Sequence, residues 1–204
     1  MNIKGLERLM HLGLPVPRST ILFRTIQEIP SDYLKDDEPR WFMAGFDYKS
    51  CKLTDNPYKI TKIRKFGFSR KELRKTFEQL ESRLRSIGTL PEDRLYVLWE
   101  LHTNANVSFS GFGFKSPYEI MIGFFNGNRP QGRELTPDCS VQILLVGEKP
   151  QFQYALSLCR DFRGYAIKIA KDLTILSDNH SVDFTCRNDG YLFYHDLWQI
   201  ANHK

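Results

Sequence analysis

Apolar residues at alternating four- and three-residue spacing mark the clearest helix of the chain, with Leu73, Phe77, Leu80, Leu84 and Ile87 forming one stripe. Ser69 and Glu72 precede it as a capping box, each able to satisfy a free backbone N–H of the first turn. Gly88 and Pro91 stop it. The opposite face carries Arg70, Lys71, Arg74, Lys75, Arg83 and Arg85, interrupted by Glu78 and Glu81. A second helix is predicted over 161–176, with Phe162, Ala166, Ile169, Leu173 and Leu176 on one side. A short helix over 3–12 puts Leu6, Leu9 and Met10 on one face and ends at Gly13; Pro15 and Pro17 then force extended chain.

The remaining apolar runs read as strands at 19–26, 41–49, 58–66, 95–102, 107–115, 118–125, 141–146 and 151–157, with an acidic, turn-rich stretch at 30–40. The chain closes in a predicted hairpin, 181–186 and 191–198, around Arg187-Asn188-Asp189-Gly190, whose Asp-Gly pair suits a tight turn. Helices mixed with consecutive strands predict an α+β fold rather than a regularly alternating parallel sheet. The 204 residues suit one large domain or two small lobes. The expected division is an N-terminal lobe over 1–93 and a C-terminal lobe over 94–204.

Composition narrows this picture modestly. Hydrophobic residues at 41% and charged residues at 26% are ordinary for a globular protein and argue against disorder. No run approaches the roughly 20 apolar residues that span a bilayer, and the opening lacks the apolar core of a secretion signal. The expectation is a soluble, cytoplasmic protein with no membrane partner. Cys51, Cys139, Cys159 and Cys186 form no CxxC pair, which argues against structural zinc, and in a reducing compartment they are expected as small core residues. The net charge of +5 favours anionic partners such as nucleotides, phosphorylated metabolites or nucleic acid.

Three constellations bear on chemistry. Asp183 and Asp196 lie at similar distances from the hairpin turn, so their carboxylates are expected to approach on one face. Two such oxygens suit Mg²⁺, which takes one or two carboxylates together with substrate phosphates; two solvated aspartates are the alternative. In 108–115, Ser-Phe-Ser-Gly-Phe-Gly-Phe-Lys, small residues interleave with phenylalanines. One face is expected to be aromatic and the other bare backbone at Gly111 and Gly113, open to close approach by a ligand or a packing element. Lys59, Lys62, Arg64, Lys65, Arg70, Lys71, Arg74 and Lys75 fall in one window with Tyr58, Phe66 and Phe68. That window suits a phosphate clamp, a nucleic-acid backbone or a merely solvated face. The five histidines are scattered and there is no GxSxG elbow. Strand alternation is expected to turn His195 away from the face of Asp196.

Taken in order, several segments resemble one family. They are Ile3-Lys4-Gly5 through Leu12-Gly13-Leu14-Pro15-Val16-Pro17; Tyr48-Lys49-Ser50; 95–102 followed by 110–117; Gly132 through Thr136-Pro137-Asp138; and Val182-Asp183-Phe184-Thr185 with 190–196. The sequence is similar here to the ATP-grasp domain of phosphoenolpyruvate synthases and pyruvate phosphate dikinases. It departs from that pattern where Lys49 replaces an arginine, Asp183 a glutamate, Asp196 a glutamine and Trp198 an arginine. The 204 residues leave no room for the phosphohistidine and phosphoenolpyruvate-binding domains of that family, so the whole synthase reaction is not expected of them alone.

The resemblance implies an ATP-grasp-like fold of two small lobes, with antiparallel or mixed sheet and flanking helices. It also implies roles for particular residues. Lys4 and Lys49 would face nucleotide phosphates as point charges. Trp99, Glu100 and Leu101 would form the adenine hinge, largely through backbone groups. Gly111 and Gly113 would line the nucleotide, and Asp183 and Asp196 would hold Mg²⁺. The expected function is Mg-ATP-dependent phosphoryl transfer or ligase-type activation of an acceptor that the sequence does not name. A partner protein completing the site is compatible with this. The alternatives are a catalytically degenerate nucleotide-binding module and a nucleic-acid-binding protein using 59–75.

Overall fold

The computed structural model describes residues 3–31, 33, 40–46, 62–65, 70–86, 88–100, 106–127, 136–146, 149–153 and 161–199. Positions 4, 40–46, 62–65, 70, 100, 146, 149–153 and 199 are described by their backbone alone. The chain divides into two units, Pro17–Leu101 and Met1–Val16 with His102–Lys204. Among the described residues no helix is long and apolar enough to cross a membrane.

The 17–101 unit holds β1 (Ile21–Phe23), β2 (Arg40–Phe46), β3 (Lys62–Lys65), α2 (Arg70–Ser86) and β4 (Arg94–Glu100). Its sheet runs β1-β4-β2-β3, every pair antiparallel. The apolar stripe of α2 is the reason the unit has a core. Leu73, Leu80 and Leu84 are buried with Phe23, Tyr96 and Leu98 of the sheet, and Phe77 packs against them. The Phe77 and Tyr96 ring centroids are 4.6 Å apart. Gly88, at φ +79°, ends the helix region in the left-handed conformation that a side chain resists, and Thr89 N–H donates back to Leu84 O at 3.2 Å. Arg94 is buried beneath this turn, its guanidinium donating to Thr89 Oγ1 at 3.0 Å and to Thr89 O at 2.6 Å, with Glu81 at 3.4 Å. The N-terminal cap residue Ser69 lies outside the described residues.

The second unit holds α1 (Ile3–His11), β5 (Val107–Lys115), β6 (Glu119–Asn126), β7 (Cys139–Val146), β8 (Lys149–Gln153), α3 (Arg163–Thr174), β9 (His180–Arg187) and β10 (Leu192–Gln199). The six strands form one antiparallel sheet in the order β10-β9-β5-β6-β7-β8. Alternation places Ile120, Ile122 and Phe124 of β6 on one face, all at most 1% exposed, opposite Val141 and Ile143 of β7. Helix α3 covers that face through Ala166, Ile169, Ala170 and Leu173. Phe109 meets Phe162 and Tyr165 edge-on at 5.1 and 4.7 Å.

The cysteines depart from the expectation of free core thiols. Cys186 is free and buried, its thiol pushed up by that burial, but Cys139 is disulfide-bonded. Cys51 and Cys159 lie outside the described residues.

Candidate functional site

The hairpin of β9 and β10 carries the acidic pair. Leu192 stands opposite Cys186, Phe193 opposite Thr185 and Tyr194 opposite Phe184. Regular continuation of that register would set His195 against Asp183. Instead a β-bulge lies between Tyr194 and Asp196, so that Asp196 stands directly opposite Asp183, and Leu197 and Trp198 follow opposite Val182 and Ser181. Residues directly opposite in an antiparallel ladder share a face. The two carboxylates therefore lie side by side on one face of the sheet, Asp183 half-buried and Asp196 buried.

Which face this is follows from the glycines of β5. A Cβ at Gly113 would lie 2.7 Å from Leu173 Cδ1 and 3.6 Å from Ile169 Cγ2, both on α3. Gly113 and its partner Val182 thus face α3, as do Gly111 and its partner Phe184. Phe112 stands opposite Asp183 and faces the other way. One cross-strand row, Ser140–Gly123–Phe112–Asp183–Asp196, therefore runs over four ladder steps on the face turned away from α3. Phe112 and Phe114 are half-buried there and Met121 is exposed, so aromatic and apolar surface adjoins the two carboxylates.

This corrects the sequence expectation for β5. The phenylalanines do not share a face, because Phe109 is out of phase with Phe112 and Phe114. The bare backbone at Gly111 and Gly113 is filled from within, by the Phe184 ring and by Leu173. A Cβ on Gly111 would also collide with the Gly123 carbonyl oxygen of β6. These glycines let α3 and the neighbouring strands close on β5.

The sheet under the acidic pair is braced from several sides. Tyr194, on the α3 face, donates its hydroxyl to Asp172 Oδ2 at 2.8 Å, and its backbone N–H donates to Pro15 O at 2.8 Å. Burial pushes its phenol far above the ordinary range. Gly5 of α1 lies so close to β10 that a Cβ would sit 2.5 Å from Leu197 O. At the start of β9, the His180 ring nitrogen Nδ1 lies 3.0 Å from Ser177 O and 3.1 Å from Asp178 O. Carbonyls only accept, so Nδ1 carries the proton and Nε2 accepts from Arg8 Nη1 at 3.1 Å. Lys115 completes this end, paired with Asp178 at 3.2 Å and donating to Leu176 O at 2.6 Å.

His195 is the residue that sequence reasoning missed. Its Nε2 lies 3.2 Å from Thr185 Oγ1, and Thr185 is two residues from Asp183 on β9 and so on the same face. Alternation from Tyr194 already turns this imidazole to that face, and the bulge brings Asp196 round to join it. No local sequence signal marks the bulge.

The other candidate residues are placed as follows. Lys4 lies in the first turn of α1, with only its backbone described. Trp99 is buried in β4 and Glu100 is the last residue of that strand. Lys49 and Leu101 lie outside the described residues. Of the basic window, Lys71, Arg74 and Lys75 are exposed on α2, and Lys59 lies outside the described residues.

Comparison with known proteins places the fold. No family model matches the chain, and no curated protein matches it. Among solved structures, D-alanyl-alanine synthetase A from Vibrio cholerae O1 biovar eltor aligns with 97% of this chain and 54% of its own, at 9% identity and a TM-score of 0.50. N5-carboxyaminoimidazole synthetase from Staphylococcus aureus, complexed with ADP, aligns over 98% of this chain and 44% of its own, at 13% identity and TM-score 0.49. A RimK domain protein ATP-grasp from Sphaerobacter thermophilus aligns over 99% and 60%, at 12% identity and TM-score 0.46. The chain spans about half the length of these proteins. The fold is α+β and ATP-grasp-like, as the likeness to the synthetase indicates.

Proposed function

We propose that this chain binds a Mg²⁺–nucleotide, with ATP as the expected ligand, and uses it for ligase-type activation or phosphoryl transfer. The observation that carries this is the register of the closing hairpin, which sets Asp183 against Asp196 on one face of an ATP-grasp-like sheet. The donor chemistry fits Mg²⁺, a hard cation that takes oxygen ligands and usually pairs one or two carboxylates with substrate phosphates and water. Among the described residues no three His, Cys, Asp or Glu side chains converge as a metal cage. A site of this kind therefore depends on phosphate oxygens to complete the coordination.

In this reading Asp183 and Asp196 hold the cation, and Phe112, opposite Asp183, walls the site on the β5 side. A cation held by these two carboxylates would supply positive charge against the negative charge that develops on a phosphoryl group during transfer. The resemblance to phosphoenolpyruvate synthases and pyruvate phosphate dikinases adds finer assignments. It gives Lys4 and Lys49 to the phosphates and the backbone of Trp99, Glu100 and Leu101 to the adenine. The acceptor is an acid or other nucleophile of unassigned chemistry.

A nucleotide-binding module without turnover is the second reading. It is favoured by Trp198, half-buried opposite Ser181 on the same face as the aspartates, where that family carries an arginine. A thermal-shift series with ATP, GTP and ADP, each with and without Mg²⁺, tests nucleotide binding. A ligand at about 100 times its Kd adds roughly 2.7 kcal/mol, a rise of several degrees. A Mg²⁺-dependent rise supports the proposal, and a flat response in all six conditions removes it. Nucleotide hydrolysis or acceptor-dependent ADP release then separates the two readings.

A further inference from the structure

We infer that His195 contacts the ligand of the acidic face, donating a hydrogen bond to a phosphoryl oxygen of the metal-bound nucleotide, with Thr185 as the residue that orients it. The inference rests on the Mg²⁺–nucleotide reading above and extends it to a residue that neither the fold nor the family resemblance assigns.

The bulge supplies the geometry. Between the pairs Tyr194–Phe184 and Asp196–Asp183, β10 carries one residue more than β9, and that residue is His195. In a regular strand, residues 195 and 196 would point to opposite faces. Tyr194 is committed to the α3 face by its bond to Asp172, while His195 reaches Thr185 on the face of the aspartates. The bulge thus brings Asp196 beside Asp183 on the face that His195 already occupies. Bulges recur beside functional sites because they re-aim one side chain while leaving the ladder on either side intact.

Thr185 fixes how the imidazole is presented. Its side chain is buried, and its hydroxyl has an oxygen that can accept and a proton that can donate. Donation of that proton to Nε2 leaves the ring proton on Nδ1. The Phe193 ring flanks the imidazole at 6.0 Å between centroids, and Tyr191 stacks on Phe193 at 5.8 Å, with its own hydroxyl donating to Val16 O at 2.7 Å. The ring is therefore held between a hydroxyl and an aromatic wall.

The ligand chemistry follows from the neighbours. Two carboxylates repel a bare phosphate and admit one only with a cation between them. No group of three metal-ligating side chains converges among the described residues, so the imidazole is not a third member of the cation's protein ligands. An N–H donor beside a cation-bridged carboxylate pair suits a phosphoryl oxygen that the cation leaves partly uncompensated.

The test is isothermal titration of ATP, ADP and adenosine, each with Mg²⁺, into the wild-type chain and three variants. His195→Ala is expected to weaken Mg-ATP by at least about tenfold while adenosine binds as to wild type. His195→Asn, which keeps an N–H near the place of Nδ1, is expected to recover most of that loss. Thr185→Val, which keeps the ring but removes its hydroxyl partner, is expected to weaken Mg-ATP by a few-fold and leave adenosine unchanged. If His195→Ala fails to fold, Thr185→Val carries the same contrast between ATP and adenosine, and His195→Asn is expected to stay near wild type for both.

Wild-type affinity for Mg-ATP in all three variants overturns the inference and leaves the nucleotide reading standing. So does an equal loss for ATP and adenosine, which marks a merely structural role. Failure of the wild-type chain to bind any Mg-nucleotide overturns the nucleotide reading, and this inference with it.

Discussion

Asp183 and Asp196 stand directly opposite each other across β9 and β10 because one extra residue, His195, lies between Tyr194 and Asp196. Without the bulge, regular pairing would set His195 against Asp183 and leave Asp196 opposite Val182. The acidic pair is therefore a product of strand register as well as of residue type.

This makes deletion of His195 informative. Removing the extra residue lets Asp196 follow Tyr194 and pair with Asp183 in regular register. The deleted chain is expected to fold, with the loss of about one hydrogen bond, on the order of 1 kcal/mol, and to retain both carboxylates on one face. Denaturant unfolding measures the first expectation. A cross-strand amide contact between residues 183 and 196 in nuclear magnetic resonance measures the second; its absence would mean that the bulge holds more than one ladder step in place.

Gly111 and Gly113 differ in what surrounds them, and their alanine variants should differ accordingly. A methyl group at Gly111 meets the Gly123 carbonyl and the buried Phe184 ring, neither of which can move cheaply. A methyl at Gly113 meets first the tip of the flexible Leu173 side chain, at 2.7 Å. Gly111→Ala is expected to cost about 3 kcal/mol or more, and Gly113→Ala about 1–2 kcal/mol. Equal midpoints in a denaturant titration would contradict the packing described for β5.

Tyr194 ties α3 to the strand that carries Asp196. Tyr194→Phe removes a donor to Asp172 at 2.8 Å and is expected to cost about 1–3 kcal/mol. For a chain of this length each kcal/mol lowers the midpoint by roughly 2–4 °C. Asp172→Asn, which can still accept from the tyrosine, should cost less. The ordering of the two midpoints in calorimetry is the check.

Alkaline pH should unfold the chain through its buried tyrosines. Burial, with Glu81 nearby, pushes the Tyr96 phenol up to about 12 from an ordinary 10. The folded state then holds its proton more tightly than the unfolded state, so stability is fully present below about pH 10 and falls as pH rises towards 12. The full loss from this group is on the order of 2–3 kcal/mol. Tyr96→Phe is expected to flatten that slope, and Tyr194, raised in the same direction by burial, keeps part of it. Stability against pH in wild type and variant, followed by tyrosinate absorbance and circular dichroism together, tests the sign.

Much of this architecture could be read from residue pattern. The stripe on α2 was visible because Leu73, Leu80 and Leu84 repeat at helical spacing, and all three are buried. The closing hairpin followed from a turn sequence between two apolar runs, and it forms as β9 and β10. The bulge could not be read, since nothing in Phe193-Tyr194-His195-Asp196 departs from ordinary strand composition. Strict alternation therefore set His195 and Asp196 on opposite faces, whereas the bulge lets them share one. The faces of β5 were misjudged for a related reason. Phe109 and Phe112 are three residues apart, which in a strand puts them on opposite faces, and only the register with β9 shows which glycines lie beneath α3. The disulfide at Cys139 was hidden because the spacing of the four cysteines does not indicate which of them pair.

The most direct test of the central claim is isothermal titration of ATP, with and without Mg²⁺, into the wild-type chain and into the Asp183→Asn, Asp196→Asn double variant. Asparagine keeps the shape of each side chain and removes the charge that a hard cation requires. The account predicts Mg²⁺-dependent binding by the wild-type chain and its loss, by about a hundredfold or more, in a variant that remains folded. Undiminished Mg²⁺-dependent binding by the folded variant would contradict it, because the cation would then be held elsewhere.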